Sequence, residues 1–400
     1  MPDFTVGNYL AIRLQQIGLK HCFMVPGDYN LTLLDELLWN KEVEQIGCCN
    51  ELNASYAAEA YARVRGCAAV VTTFNVGAFS ALNGVAGAYA ERLPVIFVSS
   101  GYNTNDDAAN HLLHHTIGTH DYSYQYEMFK YVTCAAVRIL HADNAPSMID
   151  HAISTALRER KPAYIEIACN LSTALCPEPS PFEMMLSPED SNPAALAAAV
   201  ERASTLLADA ARPILLAGAL LRSYGAIDAF RELAENLGCA VAVMPNAKGF
   251  FPEDHPQYIG TYWGPVSSPG CEPVLDWADL ILAAGPLFTD YTTSGWTGVP
   301  PREQALKGLG RACHPDPKCL VGRDQLPDAG DGAGHEGGRE VEERGGDHRR
   351  AGRAERCRPA GEVAAPEPAQ ARLLVSRTGL RRKIGHRVDG LEQGPHRPRR

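Results

Sequence analysis

The chain holds 400 residues, 45% apolar, 21% charged and 8% aromatic, a balance that excludes collagen-like and wholly disordered classes and predicts about two or three domains. A formal charge of −10 argues against a general nucleic-acid binder. That charge is unevenly spread: residues 1–300 carry 16 Lys and Arg against 32 Asp and Glu, whereas residues 301–400 carry 21 against 15 and contain no aromatic residue and no Asn.

From the amino terminus, Val6 to Ile17 has apolar residues at helical spacing and stops at Gly18. His21 to Val25 is a short apolar run ending at Pro26-Gly27. Leu31 to Leu38 reads as helix and Gln45 to Cys49 as strand. Ala54 to Arg65 is a helix closed by Gly66, followed by a buried strand over Ala68 to Thr73. Ser80 to Arg92 is a small-residue helix, Val95 to Ser99 a strand, Ala145 to Arg160 a helix with Pro146 in its first turn, and Tyr164 to Ala168 a strand. Continuous apolar strands alternating with helices predict a doubly wound α/β domain with a mainly parallel sheet, here over residues 1–175. Such sheets bind ligands at the carboxyl ends of their strands.

Residues 176–192 read as a linker, because Cys176-Pro177-Glu178-Pro179-Ser180-Pro181 cannot continue a helix or strand. A second α/β domain is predicted over 193–297, with helices at Pro193 to Ala208 and Ala226 to Leu237, and strands at Pro213 to Ala217, Ala240 to Met244 and Leu280 to Ala284. Residues 298–400 lack periodicity and an apolar face, as expected of a disordered tail or an out-of-frame reading. The 12 cysteines form no CxxC pair, no signal peptide opens the chain, and no apolar run reaches the roughly 20 residues of a membrane span. These features predict a cytoplasmic protein with free thiols and no membrane partner.

Four groups of residues could carry chemistry. Glu51 in Asn50-Glu51-Leu52-Asn53 sits where a strand meets a helix start; it is either a first-turn acid or a carboxylate facing a ligand crevice. Asp28, in Pro26-Gly27-Asp28-Tyr29-Asn30, either caps the next helix or enters the same crevice. His111, His114 and His115 would share one face of a helix, open to metal ligation, acid–base work or a plain packing role. Gly330-Asp331-Gly332 follows no strand and precedes no helix, and reads as composition rather than as a phosphate–metal loop.

The segments TVGNYLAIRLQQIGLKHCFMVPGDYNLTLLDELL, CCNELNASYAAEAYAR, GAYAERLPVIFVSS, HLLHHTIG, KPAYIEIACN, AKGFFPEDHPQYIGTYWG and FTDYTTSGWT resemble the pyruvate decarboxylase family over residues 4 to 297. VPGDYNLTLLD and HHTIG are nearer its plant-like members. The resemblance implies thiamine diphosphate and Mg²⁺, three α/β domains, an oligomer, and cleavage of pyruvate to acetaldehyde and CO₂. It also leaves open a bulkier 2-oxo acid such as indolepyruvate, or a non-catalytic partner of a full-length subunit.

Glu51 matches the glutamate that hydrogen-bonds the cofactor's aminopyrimidine. Asp28, His114 and His115 match residues that handle the substrate carboxylate and protonate the decarboxylated intermediate. Thr73 lies at the matching strand end and is expected to seat the cofactor or the substrate, although Thr72-Thr73-Phe74-Asn75 departs from the family's usual pattern. The resemblance places the metal away from the histidines, in a third domain bearing Gly-Asp-Gly and paired asparagines. Nothing here matches that domain, so no metal ligand is expected in this chain and the chain alone is expected to be inactive.

Overall fold

The computed structural model describes residues 4–181, 192–301 and 303–308. Residues 309–400 of the predicted tail, Gly330-Asp331-Gly332 among them, and the linker residues 182–191 lie outside these. The described residues form two parallel sheets, each with helices on its faces.

The first sheet has six strands: β1 (His21–Met24), β2 (Glu44–Gly47), β3 (Ala68–Thr72), β4 (Val95–Gly101), β5 (Ala135–Ile139) and β6 (Ala163–Ala168). Their order is β2-β1-β3-β4-β6-β5, every pair parallel. Central strands β3 and β4 are buried along their whole length, which is why they read as unbroken apolar runs. Val70, Val71, Ile96, Phe97 and Val98 are fully buried; each contributes about 1.5–3 kcal/mol of apolar burial. Edge strand β5 alternates buried and half-buried residues, a weaker pattern that the sequence reading passed over. Chain order reverses between β1 and β3, so a crevice opens at their carboxyl ends.

Two helices that frame this crevice begin earlier than expected. The helix predicted from Ala54 starts at Glu51, because the Asn50 side chain caps it by accepting from the Asn53 amide at 2.9 Å. The helix predicted from Ser80 spans Val76–Ala90 and starts after Asn75, whose φ of 53° carries no N-cap signature. The amino-terminal helix Val6–Gln16 is pinned from within. Arg13, 1% exposed, donates to both carboxylate oxygens of Asp150 at 2.6 and 2.9 Å, and Tyr9 donates its hydroxyl to the same carboxylate at 2.6 Å.

The second sheet comprises β7 (Pro213–Ala217), β8 (Ala240–Val243), β9 (Tyr258–Thr261), β10 (Leu280–Ala284) and β11 (Ala305–Gly308), in the order β11-β10-β7-β8-β9. Strand β9 was not foreseen; its short run pairs with β8 across a register shift. β11 lies beyond residue 297, where the sequence reading ended this domain, and pairs in parallel with β10. Arg222 joins the two sheets' layers by donating to the Glu91 backbone carbonyl at 3.3 Å and its carboxylate at 3.2 Å. Among the described residues, no helix is long and apolar enough to cross a membrane, and nine cysteines are free.

Candidate active site

The crevice between β1 and β3 gathers five of the sequence candidates, Glu51, Thr73, Asp28, His114 and His115. Gly27 follows β1, Thr73 follows β3, and Glu51 opens the helix that follows β2. Their backbones approach too closely for side chains between them. A Cβ on Gly27 would stand 2.6 Å from Thr73 Oγ1, and one on Gly77 would stand 2.7 Å from Glu51 Oε1 and 2.8 Å from Thr73 Cγ2. Glycine at 27 and 77 therefore lets Thr73 and the half-buried Glu51 carboxyl reach the crevice. Thr73 is 5% exposed, and its Oγ1 is buried with no hydrogen-bond partner among the described residues. An orphaned buried hydroxyl beside a carboxylate is a place for a polar ligand atom.

Asp28 and the histidines form the outer wall. His114 Nε2 lies 2.5 Å from Asp28 Oδ2. Tyr29 stacks on the His114 ring with centroids 4.9 Å apart, and its hydroxyl donates to the His114 carbonyl at 3.3 Å. Burial first, and then the nearby Asp28 charge, push the Tyr29 hydroxyl up to about 12, so it stays a donor at neutral pH. His115 packs edge-on to His114 at 4.8 Å, with its buried Nδ1 unpartnered among the described residues.

The expected helical face of three histidines does not form. The nearest helix, Thr104–Ala108, ends before them, and residues 111–118 are a loop. The Tyr122 hydroxyl holds the His111 carbonyl, and the His111 ring instead pairs with Asp106 at 2.9 Å. Asp28, His114 and His115 do place one ligand-capable atom each within 4.8 Å of one another. Both Asp28 and His114 are exposed, and their contacts to each other and to Tyr29 suit acid–base work as well as metal ligation.

A polar cluster that the sequence reading missed reaches the turn at Asn75. Glu166 on β6 is fully buried; its Oε2 accepts from the Tyr164 hydroxyl at 2.6 Å and from Gln125 Nε2 at 3.4 Å. Gln125 also donates to Tyr164 at 2.5 Å and to Ser99 Oγ at 3.1 Å, and its Oε1 accepts from the Asn75 amide. Burial pushes the Glu166 carboxyl up to about 7, against the pull of the Tyr164 hydrogen bond and the Arg138 charge. The one available signal was a lone acid inside AYIEIA, an otherwise apolar strand. A cavity of about 230 Å³ lies elsewhere, among Pro213, Cys239, Tyr258 and Trp277 at the amino ends of β7–β9, and contains no candidate catalytic group.

Comparison with known proteins finds a match for each of the two sheet units. Residues 4–124 match the thiamine pyrophosphate enzyme family, N-terminal TPP binding domain, and residues 200–307 match that family's central domain. A probable pyruvate decarboxylase of Schizosaccharomyces pombe is 53% identical over 76% of this chain and 53% of its own length. The pyruvate decarboxylase of Neurospora crassa is 50% identical over 74% of this chain and 52% of its own. Pyruvate decarboxylase 3 of Arabidopsis thaliana is 49% identical over 78% and 52%, so these fungal proteins match at slightly higher identity than this plant one. The chain spans about half the length of the curated relatives it matches.

Proposed function

The chain belongs to the thiamine pyrophosphate enzymes, and from that premise we propose that it forms the pyrimidine-holding and central parts of a thiamine diphosphate- and Mg²⁺-dependent decarboxylase of pyruvate. The observation that carries this reading is the half-buried Glu51 carboxyl at a helix start, set over Gly77 beside the orphaned Thr73 hydroxyl. The residues present fit the cofactor's nitrogen-rich ring: Glu51 offers a carboxyl to share a proton with it, and Thr73 Oγ1 offers an unused donor and acceptor. Thiamine diphosphate supplies the electron sink for loss of CO₂.

The chain's own residues orient the substrate and move protons. Asp28 braces His114 through Nε2, and Tyr29 stacks against the same ring. The braced imidazole and its neighbour His115 are placed to carry a proton and to face a substrate carboxylate. No residue of this chain is assigned to Mg²⁺ or the diphosphate, which the family resemblance places on another domain. Nine free cysteines among the described residues support a reducing, cytosolic setting, and the family resemblance supports a homo-oligomer.

Titration calorimetry of the chain with thiamine diphosphate, with and without Mg²⁺, tests the reading. Glu51→Gln should weaken binding at least about ten-fold. Binding indifferent to that substitution overturns the assignment of Glu51. Acetaldehyde release from pyruvate by this chain alone would overturn the assignment of the diphosphate and metal to another domain.

A further inference from the structure

The geometry points to Glu166 as a positioning residue for this site: through Tyr164 and Gln125 it sets the Asn75 turn that carries Gly77 against Glu51. Each link is on a different element. Glu166 sits in register with Ser99 of β4 and Arg138 of β5. The helix Tyr124–Lys130 brings Gln125 over it, and Gln125 Oε1 takes the Asn75 amide. Asn75 has a left-handed φ of 53° and is fully buried; its side chain donates to the Tyr124 hydroxyl at 2.7 Å. That hydroxyl also receives the Ile117 amide at 3.2 Å, so the same helix braces the histidine loop. A left-handed asparagine at a helix start is strained unless its surroundings hold it.

Glu166 is poised to make this brace depend on pH. Its Oε1 is buried without a partner among the described residues, and a Cβ on Gly101 would stand 3.0 Å from it. The ionisable groups facing it are Tyr164 on its own strand, Arg138 on β5 and Tyr102 just after β4. Both tyrosines are pushed upward by burial and stay neutral, leaving Arg138 as the one charge on the described elements around it. Because the buried arrangement keeps Glu166's proton better than water does, the arrangement that buries Glu166 is favoured at low pH. Ionisation through about pH 7 favours opening of the turn. The coupling itself stands independently; its bearing on the cofactor rests on the function proposed above.

Amide hydrogen exchange of the intact chain without cofactor tests the coupling. After correction for intrinsic rates, protection of residues 73–79 should fall at least about five-fold between about pH 6 and pH 8, within the linkage limit of tenfold per pH unit. The helix Ile227–Leu237 should show no such step. Glu166→Gln should keep protection high and flat, and Gln125→Met should remove the step by cutting the link. A flat wild-type profile, an unchanged step in Glu166→Gln, or an equal step in Ile227–Leu237 overturns the proposal. The wild-type profile decides even where a variant fails to fold. A step without thiamine diphosphate binding leaves the coupling intact and removes the functional reading; binding without a step does the reverse.

Discussion

His114 Nε2 and Asp28 Oδ2 meet at 2.5 Å, although 86 positions separate them in the chain. The pair stands at the open side of the crevice, with side chains 60% and 55% exposed. An exposed pair contributes at most about 1 kcal/mol to stability, so little of the fold rests on it. Asp28→Asn should therefore lower the melting temperature by no more than a few degrees. In an assembly that turns over pyruvate, it should cost at least about a hundred-fold in kcat. Calorimetric melting and steady-state kinetics on the same preparation check both halves.

Gly77→Ala places a methyl group 2.7 Å from Glu51 Oε1. The same methyl would stand 2.8 Å from Cγ2 of the buried Thr73, and this overpacking outweighs the helix preference for alanine, so the fold should lose about 1–3 kcal/mol. Thiamine diphosphate binding should weaken by about ten-fold or more as the carboxyl is displaced. A modest loss of stability with poorer binding, read by melting and titration calorimetry, is the expected signature; unchanged binding would contradict the placement of Glu51.

Asp150→Ala strips the buried Arg13 guanidinium of its bidentate partner and leaves the Tyr9 hydroxyl without its acceptor. Breaking a buried pair in this way costs about 3–5 kcal/mol. Urea unfolding followed by far-ultraviolet circular dichroism should show the loss in the transition of the first domain.

The Glu166 carboxyl, raised by burial from its ordinary 4.5 to about 7, binds its proton more tightly in the folded chain than in the unfolded one. Its contribution to stability is complete below about pH 4.5 and is lost as pH rises through about 7. Above that pH, Glu166→Gln should be the more stable protein by up to about 3 kcal/mol. Below about pH 4.5 the two should converge; unfolding curves at several pH values check the sign.

Legibility in the sequence followed burial. The fully buried strands at Ala68–Thr72 and Val95–Gly101 stood out as apolar runs, whereas β5 and β9, at the sheet edges, gave short mixed patterns that resemble loops. Glu51 could be placed near a helix start from its position between a strand and a helix, but the Asn50 cap that moves the start from Ala54 to Glu51 went unread. Asn75 could not, since a left-handed residue held by the distant Gln125 leaves no local signature. The histidines were found by type, but their helical face was not formed, because Asp28, Tyr29 and Tyr122 hold them from other parts of the chain. Glu166 was overlooked because a strand pattern marks its position and says nothing of what its side chain meets.

The strand at Ala305–Gly308 also decides where the chain can safely be cut. It hydrogen-bonds along β10 from Ile281 to Ala284. A fragment ending at residue 297 would keep β10 but strip its neighbour, exposing a ladder of unpaired amides and carbonyls along an apolar strand. Such a bare edge recruits other chains. Expression trimmed to 297 should thus give material that self-associates, while a boundary after Gly308 keeps the edge of β10 covered.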